Sequence, residues 1–172
     1  TMLSREISER KVYVNLQSDI VSMFPVPVVF DLPDFILDGD TIRMRALDDL
    51  AGCASILAAL EHLVFNEEKV DLYAVFTRAE EVGLIGARLL AYEGILPKET
   101  IIVSVESSPV IPGINQGEGP VIRTGDASHT FDFEAEKALA IGLRNIRETN
   151  TAFRCQRHLM RGGTCEATAF AH

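Results

Sequence analysis

Little in this sequence favours a membrane, a nucleic acid or a disulfide framework. No apolar run reaches the roughly 18 residues that a spanning helix needs. The opening TMLSREISERK has no apolar core behind a basic stretch, so no secretory leader is expected and a cytoplasmic setting follows. Basic residues are scarce: 16 Lys and Arg face 25 Asp and Glu, a net charge of −9. A nucleic-acid surface needs clustered Lys and Arg, so none is expected. The cysteines, Cys53, Cys155 and Cys165, are odd in number, far apart and form no CxxC. Neither a disulfide scaffold nor a thiolate zinc site is therefore indicated. Internal repeats and low-complexity tracts are also missing.

What is present suits a globular chain. At 172 residues and 47% hydrophobic content, one domain with a sizeable core is expected over 1–172. KVYVNL (11–16) alternates like a half-buried strand. MFPVPVVFDLPDF holds three prolines and reads as a connecting or edge segment. A turn at Asp38-Gly39-Asp40 leads to the short strand TIRMRA. From Asp48 the apolar spacing becomes helical, and Cys53 on that helix reads as core. VDLYAVFT (70–77) and TIIVSVE (100–106) read as strands buried on both faces. VGLIGARLLAYEGI reads as a helix closed by Gly94, GPVIRTGD as a strand and turn, and FDFEAEKALAIGLRNIRE as an amphipathic helix. TAFRCQRH reads as a strand, and GGTCEATAFAH opens a last helix. This alternation predicts an α/β fold, a three-layer α/β/α arrangement around a mainly parallel sheet with a mixed edge.

Three acidic clusters stand at the ends of these elements: Asp48-Asp49, Glu80-Glu81 and Glu106. In open α/β sheets, sites form beyond the carboxyl ends of the strands. Three segments would therefore deliver carboxylates to one rim. Isolated buried carboxylates are costly, so their convergence points to a bound cation. Simpler readings stand beside this one. Asp48-Asp49 suits a helix N-cap, and Glu80-Glu81 suits a solvated helix start. Arg123 and the basic stretch 154–161 offer forks for a substrate carboxylate or ordinary surface charge. Among the histidines, His62 reads as exposed, His129 as a loop residue within reach of substrate or metal, and His158 and His172 as peripheral.

The segments ALDDLAGCA, FTRAEEVGLIGA, VSVES, GEGPVI and GGTCEA, in this order, resemble the co-catalytic di-zinc exopeptidases, above all the glutamyl and deblocking (tetrahedral) aminopeptidases. Deacylases and carboxypeptidases of the acetylornithine-deacetylase type are further relatives. The resemblance implies a zinc-peptidase-like catalytic domain in which Asp48 bridges two metals and Asp49 stands beside it across a peptide bond that is often cis. It implies that Glu80 is the general base, and that Glu81 and Glu106 are terminal metal ligands. Gly83 and Gly86 match the small residues that let a helix pack on the sheet, and the GEGP loop would wall the substrate pocket.

That resemblance carries further expectations. The activity would be hydrolysis of short peptides by a two-metal-activated water, with zinc as the metal and cobalt or manganese as alternatives. N-acyl amino acids are the alternative substrates, and a homo-oligomer is expected. Three departures stand out. No HxD element occurs, no histidine follows GGTCEA before the terminal His172, and Glu106 replaces the usual aspartate of the aminopeptidases. The first two imply an incomplete domain, with 1–35 read as a remnant of an inserted or preceding segment. A catalytically incompetent fragment is thus the competing reading, and the third departure, a glutamate commoner among the deacylase and carboxypeptidase relatives, blurs the substrate class.

Overall fold

The computed structural model describes residues 29–171. The strand expected over 11–16 lies outside them, as does His172. The described chain begins with an antiparallel hairpin, β1 (Ile36–Asp38) against β2 (Thr41–Arg43), with Leu37 opposite Ile42. Gly39 adopts φ 59°, the left-handed conformation wanted at the first central position of a two-residue hairpin loop. Arg45 ties the proline-bearing connection to this hairpin. Its guanidinium donates to the Leu32 carbonyl and its amide to the Pro33 carbonyl, both at 2.9 Å.

Helix α1 (Leu47–Phe65) follows. Asp48 and Asp49 have non-helical backbones, so regular helix starts at Leu50. At its far end Asn66 caps the His62 carbonyl through its side chain at 2.9 Å. Helix α2 (Ile85–Glu93) stops at Gly94, whose φ of 61° lets its amide turn back to Ala91. Strand β3 (Val121–Arg123) pairs in parallel with β4 (Gln156–His158), placing Ile122 opposite Arg157. Helix α3 (Phe133–Thr149) makes the crossover that a parallel pair requires. Asp132 starts it by accepting the Ala135 amide at 2.8 Å. A five-residue 3-10 helix, Glu166–Phe170, replaces the longer last helix expected from GGTCEATAFAH.

Helix α2 packs against this 3-10 helix, and Leu84, Ala87, Met160 and Cys165 are buried. The chain is thus α/β, with a small parallel sheet and an antiparallel hairpin among the described residues. The two runs expected as buried strands differ. Residues 70–77 and 100–106 join no ladder among the described residues, and they are open to solvent, Val70 by 56% and Ile101 by 61%. Valine, isoleucine and aromatic residues prefer a pleated, half-buried setting, yet that preference is met only where another strand lies alongside. Among the described residues neither run is hydrogen-bonded into a ladder. No described helix is long and apolar enough to cross a membrane.

Candidate active site: an acidic cleft

The element ends meet in a cleft of about 590 Å³, whose lining includes Asp48, Asp49, Glu80, Glu81 and Glu106. All five carboxylates singled out in the sequence therefore share one concavity. Arg123, Cys53, Met160, Gly162, Gly163, Thr164 and Glu166 complete much of the wall. Cys53 is half-buried at this wall instead of in a core, because the start of α1 faces the cleft.

Asp48 and Asp49 are joined by a cis peptide bond. Asp49 Oδ1 accepts the Gly52 amide at 3.0 Å, so Asp49 caps the helix while lining the cleft. A Cβ on Gly52 would lie 2.3 Å from Asp49 Oδ2 and 2.8 Å from its carboxyl carbon. Only glycine leaves that carboxylate where it is. Burial raises the Asp49 pKa, the Gly52 hydrogen bond opposes this, and nearby Asp48 and Glu166 add to it.

Glu80 and Glu81 sit in the turn before α2. The Glu80 carbonyl accepts the amides of Gly83 at 3.0 Å and Leu84 at 2.9 Å. Gly86 donates to the Arg78 carbonyl at 2.9 Å, and a Cβ there would stand 2.6 Å from the Arg78 backbone. Close approach thus requires Gly86, whereas a Cβ on Gly83 would meet nothing within 4 Å. Burial raises the Glu80 pKa, helped by the charges of Glu81, Glu106, Glu166 and Asp48.

Glu106 pairs with the Arg123 guanidinium. That guanidinium also donates to the Ser107 carbonyl at 2.9 Å and the Ser108 hydroxyl at 2.7 Å. Arg123 therefore steadies a carboxylate of the cleft and is not a free fork for substrate. Burial raises the Glu106 pKa even against the attraction of Arg123.

Glu166, which no sequence pattern singled out, is a sixth carboxylate of the cleft. It accepts hydrogen bonds from the hydroxyls of Thr77 and, at 3.4 Å, Ser104. The available signal is an acid directly following Gly-Gly-Thr-Cys, but its partners are 89 and 62 residues away. Behind it, Asp126 is 7% exposed and accepts from the amides of Ser128, His129 and Cys165 and from the Thr168 hydroxyl. Burial alone would raise its pKa, but these hydrogen bonds together outweigh it and hold the carboxyl below its ordinary value.

The sequence matches the M42 glutamyl aminopeptidase family over residues 24–172. The chain belongs to that family. A protein of Acetivibrio thermocellus named as an aminopeptidase is 37% identical over 113 residues, 62% of this chain and 33% of its own length. FrvX of Escherichia coli (strain K12), also named as an aminopeptidase, is 34% identical over 88 residues, 47% of this chain and 24% of its own. The solved dodecamer PhTET1-12s shares 30% identity at a TM-score of 0.57, over 80% of this chain and 41% of that one. The chain therefore spans about a third or less of the curated relatives it matches.

M42 peptidases are metallopeptidases generally. The donor chemistry of this M42 cleft fits a divalent cation: its carboxylates supply hard oxygens, and three of them resist ionisation while crowded together. Their spacing is not that of a closed ligand shell, since no three His, Cys, Asp or Glu groups among the described residues stand close enough to hold an ion. Nor does a described histidine line the cleft. His129 sits in the 125–130 turn, its amide on Asp126 at 3.0 Å. His158 lies against Gly113, and His62 is exposed beside Asn66, as expected. The GEGP loop is not among the cleft-lining residues. Glu118 of that loop binds Arg154 at 2.8 Å, and Arg157 binds Glu136, so the 154–161 stretch spends two arginines on surface pairs.

Proposed function

We propose that this M42 chain carries the carboxylate side of a metal-dependent exopeptidase site and takes part in removing residues from the amino end of short peptides. The supporting observation is the single cleft that collects Asp48, Asp49, Glu80, Glu81 and Glu106. On this reading Asp48, Glu81 and Glu106 would hold two divalent ions. Such ions, most readily zinc, polarise a scissile carbonyl and acidify a water. Asp49 keeps the entry to α1 in place through Gly52 and so fixes Asp48. Arg123 orients Glu106.

Glu80 is the proton carrier. Burial and the like charges of Glu81, Glu106, Glu166 and Asp48 push its carboxyl upward. It would accept the proton of the attacking water and pass it to the leaving amine. A cation near Glu81 and Glu106 would offset part of the repulsion that Glu80 feels.

Self-association belongs to this proposal, supported by the dodecameric assembly of PhTET1-12s; a cytoplasmic setting is carried over from the sequence. A second reading is favoured by one observation, the want of a grouped set of three metal donors among the described residues. On it, this chain by itself is catalytically incompetent. A third, N-acyl amino acid deacylation or carboxypeptidase action, is favoured by the glutamate at 106. Calorimetric titration with zinc separates the first two: binding near two ions per chain at micromolar or tighter affinity supports the site, and no heat of binding removes it. Assay of an aminoacyl nitroanilide against an N-acetyl amino acid then decides the substrate.

A further inference from the structure

Glu166 bonds to two segments far from it in the chain, the runs that lead to Glu80-Glu81 and to Glu106. Its Oε1 accepts the Thr77 hydroxyl, and its Oε2 the Ser104 hydroxyl at 3.4 Å. Thr77 stands three residues before Glu80, and Ser104 two before Glu106. The two runs that end in those carboxylates share no backbone ladder among the described residues. A side chain is therefore the visible tie between them.

The tie is itself anchored. Glu166 opens the 3-10 helix that packs on α2, directly after the Glu80-Glu81 turn. On either side of it, the Cys165 amide at 3.2 Å and the Thr168 hydroxyl are held by the buried Asp126 carboxylate. A carboxylate fixed at its base, with both oxygens engaged, sets the position of what it grips.

We propose that Glu166 is a positioning residue of the acidic cleft: through Thr77 and Ser104 it sets the spacing between Glu80-Glu81 and Glu106. The inference rests on the metal-site reading for its effect on cation binding, but the tie can be measured without any metal. Groups that orient metal ligands typically cost about 10–100-fold in affinity when removed. Thr77→Val, which leaves the Glu166 charge untouched, is the informative variant, with Glu166→Gln and Ser104→Ala beside it. The longer Ser104 contact makes its effect the smallest of the three.

The experiment follows the full 172-residue chain in two ways. Zinc affinity is read by calorimetry, and amide hydrogen exchange by mass spectrometry over 77–81 and 104–107. Expected are an about 10–100-fold weaker zinc Kd in Thr77→Val and in Glu166→Gln, and no further loss in the double variant, since both break one link. Exchange should quicken in both segments of each variant. An unchanged Kd in Thr77→Val with a weakened one in Glu166→Gln would show Glu166 to be a ligand and overturn the inference. Unaltered exchange in both segments would overturn it as well. If the unmodified chain binds no zinc, the metal-site reading fails, and the exchange data alone decide the tie.

Discussion

Asp49 and Gly52 fit each other so closely that no side chain can be added at 52 while Asp49 keeps its place. The Asp49 carboxylate receives the Gly52 amide at 3.0 Å and occupies the space where a residue-52 Cβ would be. Gly52→Ala should therefore push Asp49 off its cap, at the cost of about 1–3 kcal/mol typical of overpacking. Gly142 lies in the middle of α3, and a methyl group added there would meet nothing within 4 Å. Gly142→Ala should stabilise by about 0.5–1 kcal/mol. Urea denaturation of both variants measures the contrast.

On the proposed reading, Glu80→Gln should sharply lower peptide turnover while sparing zinc. General acid–base groups contribute roughly 10²–10⁴-fold, so a loss of that order is expected, with stoichiometry and Kd nearly unchanged. Turnover that survives the substitution would place the proton carrier elsewhere.

Arg123→Met strands Glu106 in a cleft of like charges. Both members of the pair are mostly buried, their side chains 13% and 21% exposed. Leaving one charged partner without the other should cost about 1–3 kcal/mol. Adding Glu106→Gln to that variant should recover part of the loss, as coupled partners do. Thermal unfolding of the single and double variants tests this.

Asp126 should govern acid stability. Its folded pKa is held below the unfolded value of about 3.9. Its contribution is therefore complete above that value and lost as pH falls through the lower folded one. Asp126→Asn should be less stable at neutral pH, and its stability should fall less steeply below about pH 4. Urea midpoints measured from neutral pH downward show whether the two curves converge.

The parts of this fold written locally were legible, and those written at a distance were not. Gly94 after α2 and Asp49 before the regular part of α1 each end or satisfy a neighbouring turn, so a short window reveals them. The apolar runs at 70–77 and 100–106 advertise strand preference, but pairing depends on what lies beside them. The meeting of Asp48, Glu80, Glu81 and Glu106 was readable because acids at strand and helix ends share a rim in α/β topology. Glu166 was not, for its hydroxyl partners belong to other segments and carry no charge to betray them. Arg123 was noticed for its fork, yet no pattern announces that the fork already bonds Glu106, Ser107 and Ser108.

The uncovered runs have a colloidal consequence. Leu72, Tyr73, Val75 and Phe76, with Ile101 and Val103, present strand-forming side chains to water and no completed ladder among the described residues. Such stretches template fibrils unless charge or proline interrupts them, and neither interrupts Leu72–Phe76. Concentrated solutions of this chain should turn turbid on standing, and a lysine at Val75 should keep them clear.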